Sequence, residues 1–393
     1  MSIRSWISLT SRSAPSLSRA DGRPHCSEQY PNLTTEAPMT IDFGWFLPTM
    51  GDSETIGPPT REATADYLVD VARAAEDAGF TFALVPVGTT CQDAWLASAV
   101  VAARTEKLKF LVAMRPGFIA PTVAAKMSNT LDQLTAGRVL INVVTGGFPA
   151  ELAADGDFTE HDERYARTQE FMQVVRKAWT EAKRWDHEGK YYRVQGGNVF
   201  PRPYQQPCPP FYFGGASEAA RNVGAKETDV YLLWGEPLPM VRERIADMRT
   251  RAVAAGRSIR FGLRIHVLAR DTNEEAREAA EALIANIPEG FQQMMDRHHA
   301  AGDSEGEKRQ RELVAAKEDL WLGPNLWSGI GKARLGVGTA LVGSGENVAR
   351  RLQEYADEGI DTFILSGYPH LEEAQRFGKY VMPHFAGKAA VAA

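Results

Sequence analysis

The sequence predicts an α/β fold, a parallel (β/α)8 barrel. Three observations lead there. Short runs rich in Val, Ile, Leu and Phe alternate with longer amphipathic stretches; the alternation occurs eight times; and the run 259–269 keeps a strict period of two. The strand candidates are 41–47, 81–86, 107–114, 138–145, 210–213, 229–234, 259–269 and 362–366. Helical stretches lie between them, for example 64–78, whose Leu68, Val71, Ala72, Ala75 and Ala78 share one stripe, and 164–182. A doubly wound nucleotide fold fits less well. No G-x-G-x-x-G follows a strand and no G-x-x-x-x-G-K-[ST] occurs.

Before the first strand, residues 1–38 are rich in Ser, Arg and Pro, show no apolar period, and reach their first acidic residue only at Asp21. They predict a disordered arm or a mis-assigned start, since Met39 sits just ahead of the first strand, and no secretory h-region is present. Residues 39–385 then form the barrel domain and 386–393 a flexible tail. Two connections exceed what a barrel needs, 151–209 and 271–361. The second holds a charged tract at 303–319 and joins strands seven and eight, which predicts a lid; the tract itself reads as a solvated helix face, with His298 and His299 on the surface.

Composition narrows the function classes. Of 393 residues, 44% are hydrophobic and 24% charged, as in ordinary globular enzymes, and the net charge of −6 argues against a nucleic-acid surface. No run approaches a membrane span. Cys26, Cys91 and Cys208 are widely spaced and odd in number, which fits neither a disulfide framework nor a metal site and suits a reducing cytoplasm. No metal is expected.

In such a barrel, chemistry collects at the C-terminal strand ends. In 259–271, Phe261, Leu263, Ile265 and Val267 share one face, and Gly262, Arg264 and His266 the other. An unpaired buried charge costs several kcal/mol, so the Arg264 face either pairs with a structural carboxylate or looks into an anion-accepting space. The other ends supply Met50, Arg115, Thr145, Gly215, Ser217, Trp234, Tyr368 and His370, with Cys91 just past strand two. Such a rim suits a large, flat, polyanionic ligand with an aromatic part. Ser217 opens a helix after Gly214-Gly215, a phosphate-binding arrangement or a plain N-cap, and Arg115 is a candidate to join it. Cys91 is read as a rim residue and not as a covalent catalyst.

Taken together, FGWFLPT (43–49), CQDAW (91–95), KFLVAMRPG (109–117), TLDQLTAGR (130–138), NVVTGG (142–147), PPFYFGGAS (209–217), RFGLRIHV (260–267), PNLWSGIG (324–331), GTALVG (338–343) and SGYPHLEEA (366–374) resemble the alkanesulfonate monooxygenases. These are the desulfonating branch of the bacterial-luciferase-like flavin enzymes, and the likeness covers about 41–385. The resemblance implies a TIM barrel and a reaction in which reduced FMN, delivered by a separate NAD(P)H-dependent reductase, meets O2. The resulting flavin peroxide turns R–CH2–SO3⁻ into an aldehyde and sulfite. It implies that Arg264 and Arg334 hold the sulfonate or the oxidant, that His266 acts as a proton-transfer or orienting group, and that Tyr368 and His370 bond flavin or substrate. Trp234 walls the pocket, Cys91 lies by the flavin, and a homodimer or homotetramer is implied.

The chain departs from that pattern at Met50, where a His is usual, at Gln92 for Glu, and at Gln375 for Tyr. The loss of a rim hydrogen-bonding group favours a sulfosugar such as sulfoquinovose slightly over a simple alkanesulfonate. Two other readings stay open: a deazaflavin-dependent dehydrogenase of the same superfamily, and a flavin-binding protein without catalysis.

Overall fold

The computed structural model describes residues 41–385; the predicted arm and tail lie outside them. Eight parallel strands close on themselves: β1 (Asp42–Phe46), β2 (Phe82–Val85), β3 (Lys109–Met114), β4 (Val139–Val143), β5 (Phe211–Gly214), β6 (Val230–Trp234), β7 (Arg260–Arg270) and β8 (Thr362–Ser366). Each pairs with the next, and β8 returns to β1. These are the eight strands that the sequence predicts.

Period-two patterning divides the core into two layers. Phe46, Phe82, Leu84, Leu111, Leu140, Tyr212, Val230 and Ile364 fill the barrel interior. Their alternates, among them Phe110, Val112, Phe213, Leu263, Ile265 and Leu365, face the surrounding helices. The helices start where caps allow. Thr64 accepts the Tyr67 N–H ahead of helix Ala65–Asp77, whose buried face includes Leu68, Val71, Ala72 and Ala75.

The connections hold what the pattern did not show. After β4, helix His161–Thr180 leads into an antiparallel hairpin, Trp185–Glu188 with Arg193–Gly197. Past the charged tract, the second long connection contains a ninth parallel strand, Ala340–Ser344, paired with β7 from His266 to Arg270. The reason is length. β7 outruns β6, which pairs only with its residues 260–264, so the upper half of that edge is open to another strand. Two further short strands, Trp321–Gly323 and Leu326–Trp327, continue this edge antiparallel.

The 271–361 connection lies over the C-terminal end of the barrel. Helix Glu305–Ala315 occupies the charged tract, yet its Glu307 and Gln310 are buried. The helix is fastened at several points. Arg164 Nη2 reaches Asp303 Oδ2 at 2.6 Å, Arg309 grips both oxygens of Glu236 at 2.7 and 2.6 Å, and Gln310 Nε2 bonds the Gly235 carbonyl at 3.0 Å. Gly147 permits the approach, because a Cβ there would stand 2.8 Å from Ser304 Cβ. Among the described residues no helix is long and apolar enough to cross a membrane, and no group of three metal-ligating side chains occurs. Cys208 is buried. Cys91 is free.

Candidate active site

The strand ends and the lid enclose a cavity of about 830 Å³. Met50, Cys91, Arg115, Thr145, Gly215, Ser217, Trp234, Arg264 and Arg334 all line it, so most of the predicted site residues meet there. His266, Tyr368 and His370 stand behind that wall.

Arg264 rises from β7 into the interior and is 7% exposed. Nη1 donates to the Ile265 carbonyl at 3.0 Å and Nη2 to Ser366 Oγ at 2.7 Å. Arg334 comes from the lid, with Nε 2.7 Å from Tyr368 Oη and Nη1 2.7 Å from the Leu335 carbonyl. The two guanidinium carbons lie 5.1 and 5.4 Å from the centre of the Phe46 ring, which gathers both cations over one aromatic. Among the described residues neither makes an ion pair with a carboxylate. Burial, with Arg334 adding repulsion, pushes Arg264 down to about 9, still charged at neutral pH. Of the two readings of the Arg264 face, the structural carboxylate is not found.

His266 is 1% exposed and both its nitrogens are occupied, Nδ1 at 2.7 Å from Ser366 Oγ and Nε2 at 3.2 Å from the Val337 carbonyl. Burial and the charges of Arg264 and Arg334 hold its pKa well below the ordinary histidine range, so the ring is neutral. A carbonyl only accepts, so Nε2 carries the proton and Nδ1 accepts from the Ser366 hydroxyl. Of the two roles expected for His266, proton transfer or orientation, this placement offers no direct proton transfer to a ligand and suits orientation, with the ring set between Ser366 and Val337. His370 is likewise withdrawn. Its Nδ1 lies 2.9 Å from Asp52 Oδ1, its backbone N–H donates to Asp52 Oδ2 at 2.7 Å, and its Nε2 is buried without a hydrogen-bond partner. Burial alone would raise Asp52, but its bonds from His370 and Tyr67 hold it at about 2. Tyr368, rather than facing the cavity, stacks near His266 at 5.9 Å and orients Arg334.

Across the cavity the cations are differently placed. Arg115 has Glu151 Oε1 at 3.2 Å and Asp155 Oδ2 at 3.8 Å, so its charge is largely answered. Ser217 caps helix Glu218–Glu227, accepting the Ala220 N–H at 3.2 Å, with the cavity beside it. Arg244 lines the same wall and donates to the Ala216 carbonyl at 3.2 Å. Tyr231 donates to the Gly215 carbonyl, and burial pushes its hydroxyl up to about 12. Gly214 is required by close approach, as a Cβ there would meet the Leu232 carbonyl oxygen at 2.6 Å. A helix N-terminus, a hydroxyl and a guanidinium that has no carboxylate partner among the described residues stand together beside a cavity large enough for a flavin, an arrangement that can take a phosphate. The set fits FMN, with Arg244 in the place expected of Arg115. Arg244 escaped sequence reasoning because it sits in helix Leu238–Ala254, away from any strand end. His298 is exposed, as expected, and also borders the cavity with Met294 and Met295.

The luciferase-like monooxygenase family profile matches residues 41–362. The chain belongs to this family. Solved structures with the same fold include a riboflavin lyase with modified FMN and riboflavin, at 24% identity and TM-score 0.73, covering 89% of this chain and 93% of that one. A long-chain alkane monooxygenase matches at 23% identity and TM-score 0.72, covering 90% and 93%. An F420-dependent secondary alcohol dehydrogenase matches at 16% and TM-score 0.64, covering 88% and 99%. The family is that of the luciferase-like monooxygenases, the neighbours show its fold, and the alkanesulfonate branch is not singled out among them.

Proposed function

We propose that the chain is a reduced-FMN-dependent monooxygenase that converts an organosulfonate, a sulfosugar such as sulfoquinovose or a simple alkanesulfonate, into an aldehyde and sulfite, with a separate flavin reductase as partner. The observation that carries the reading is the Arg264–Arg334 pair, two buried or half-buried guanidinium groups on one cavity wall with no carboxylate to neutralise them. A sulfonate is a permanent anion, and fixed guanidinium donors suit it better than a titratable group.

Bound reduced FMN would supply the electrons that let O2 deliver one oxygen atom to the carbon bearing sulfur. The chain's part is binding, orientation and exclusion of water. Ser217, the helix N-terminus and Arg244 would hold the phosphate; Arg264 and Arg334 would hold the sulfonate; Trp234, with the lid helix against it, closes the wall. Tyr368 fixes Arg334 through its hydroxyl, and Ser366 fixes Arg264.

The test is sulfite release in air with FMN, NAD(P)H and a generic flavin reductase, run in parallel on sulfoquinovose and a short alkanesulfonate. Arg334→Ala is expected to abolish sulfite while leaving FMN binding within about twofold, because it removes a sulfonate contact and no phosphate contact. No sulfite from either substrate, with O2-independent reduction of F420 by an alcohol instead, would move the chain to the dehydrogenase side of the family.

A further inference from the structure

Helix Glu305–Ala315 begins with Ser304-Glu305-Gly306-Glu307, the pattern of a capping box, in which the carboxylate at the third helical position turns back to the cap residue. The chain builds that box fully elsewhere, with Thr272 and Glu275. Here Ser304 Oγ accepts the Glu307 N–H at 3.3 Å, but the Glu307 carboxylate is sent to another segment, where Oε1 accepts the Gly336 N–H at 2.6 Å. Gly336 is two residues from Arg334. Glu307 is 3% exposed and lines the same cavity as the two guanidinium groups. It thus ties the lid helix to the loop that presents Arg334, and it places a titratable carboxyl beside the proposed anion site.

Resting on that proposed site, we infer that Glu307 is a positioning residue that couples anion binding to proton uptake: an anion on Arg264 and Arg334 favours the neutral acid, and the ionised carboxylate opposes the anion. The neutral acid still accepts from Gly336 through its carbonyl oxygen, so the loop stays held in either state. Burial pushes Glu307 up to about 7, against the Gly336 bond and the nearby Arg334 and Arg311, so the group is poised to titrate near neutrality. The other charged groups around it are Glu305 and the Glu236-paired Arg309 of its own helix, Arg334 of the loop, Arg264 of β7, and His298 of helix Glu289–Ala301.

The sign follows. A bound anion raises the pKa of Glu307 further, so affinity is highest well below pH 7 and falls as pH rises through it. For a further rise of one unit the affinity is about fivefold weaker at pH 8 than at pH 6. The range stops there because Arg264 is itself pushed down to about 9.

The experiment is calorimetric titration of the full chain, with FMN present, using methanesulfonate as probe in two buffers of different ionisation enthalpy. Wild type is expected to take up a substantial fraction of a proton near pH 7.5 and to show the fivefold loss. Glu307→Gln keeps an acceptor for Gly336 and should bind without proton uptake, with one affinity from pH 6 to 8. Binding by wild type without proton uptake overturns the role of Glu307 and leaves the anion site standing. A pH dependence that survives in Glu307→Gln does the same and assigns it to another group. Failure of methanesulfonate to bind at any pH removes the anion site itself, and this inference with it.

Discussion

Two arginines on β7, four residues apart and on the same interior face, have opposite surroundings. Arg260, at the floor of the barrel, has Nε 2.9 Å from Asp361 Oδ2 and Nη2 3.2 Å from Asp42 Oδ2. Burial would lower its pKa, but these carboxylates raise it. Arg264, at the top, bonds only neutral oxygens and is pushed down by burial and by Arg334. Desolvation is a cost to both. At the floor the protein meets it with its own anions, and the neighbouring Asp229, whose carbonyl accepts the Arg260 N–H, is likewise paired with Arg176 and Arg257. At the top it leaves the cost unmet, as expected where a ligand is to supply the missing charge. The same residue type on one strand serves the fold at one end and, in the proposed function, binding at the other.

Substitution can break this contrast. Arg264→Met is expected to lower kcat/KM for the sulfonate by at least about a hundredfold, because truncating one partner of a buried charged contact costs roughly 2–5 kcal/mol. Its Tm should hold or rise, since an uncompensated buried charge has gone. Arg260→Met should do the reverse. Asp361 and Asp42 lose their partner, which costs about 3–5 kcal/mol of folding stability in chemical denaturation, while kcat/KM per folded molecule stays near wild type. If Arg264→Met loses as much stability as Arg260→Met, the top arginine is structural and the contrast is wrong.

How far the sequence reaches can be stated residue by residue. Period two on 259–269 was enough to put Arg264 and His266 on the inner face, and the apolar runs were enough for eight strands, because both depend on local pattern. What escaped depends on register and tertiary contact. Strand Ala340–Ser344 exists because β7 overhangs β6, which no local composition reveals. Arg244 reaches the cavity from the middle of a helix. Glu307 carries a local capping signature that a tertiary hydrogen bond overrides. His266 lies on the predicted face, yet its two nitrogens are consumed by Ser366 and Val337, and only the pairing of β7 with β8, which sets Ser366 opposite His266, brings this about.

That last arrangement sharpens the comparison further, because it supplies what Arg264 has in place of a carboxylate. Arg264 donates to Ser366, Ser366 donates to His266 Nδ1, and His266 Nε2 donates to the Val337 carbonyl, in the same lid loop as Arg334. Every donor in this line has one acceptor, so the line holds only while His266 is neutral and protonated at Nε2. Ser366→Ala interrupts it and leaves Arg264 Nη2 and His266 Nδ1 buried with one partner fewer, at a cost of about 1–3 kcal/mol. The expected result is a rise in KM for the sulfonate of about tenfold with kcat changed less, and partial recovery in Ser366→Thr, which keeps the hydroxyl. Nitrogen chemical shifts of His266 separate this role from simple packing. Wild type should show a neutral ring with the proton on Nε2 down to pH 6, and Ser366→Ala a mixture of tautomers. An imidazolium signal at pH 6 in wild type would mean that Nδ1 donates to Ser366 Oγ instead of accepting from it, and that Arg264 faces a second cation behind the wall.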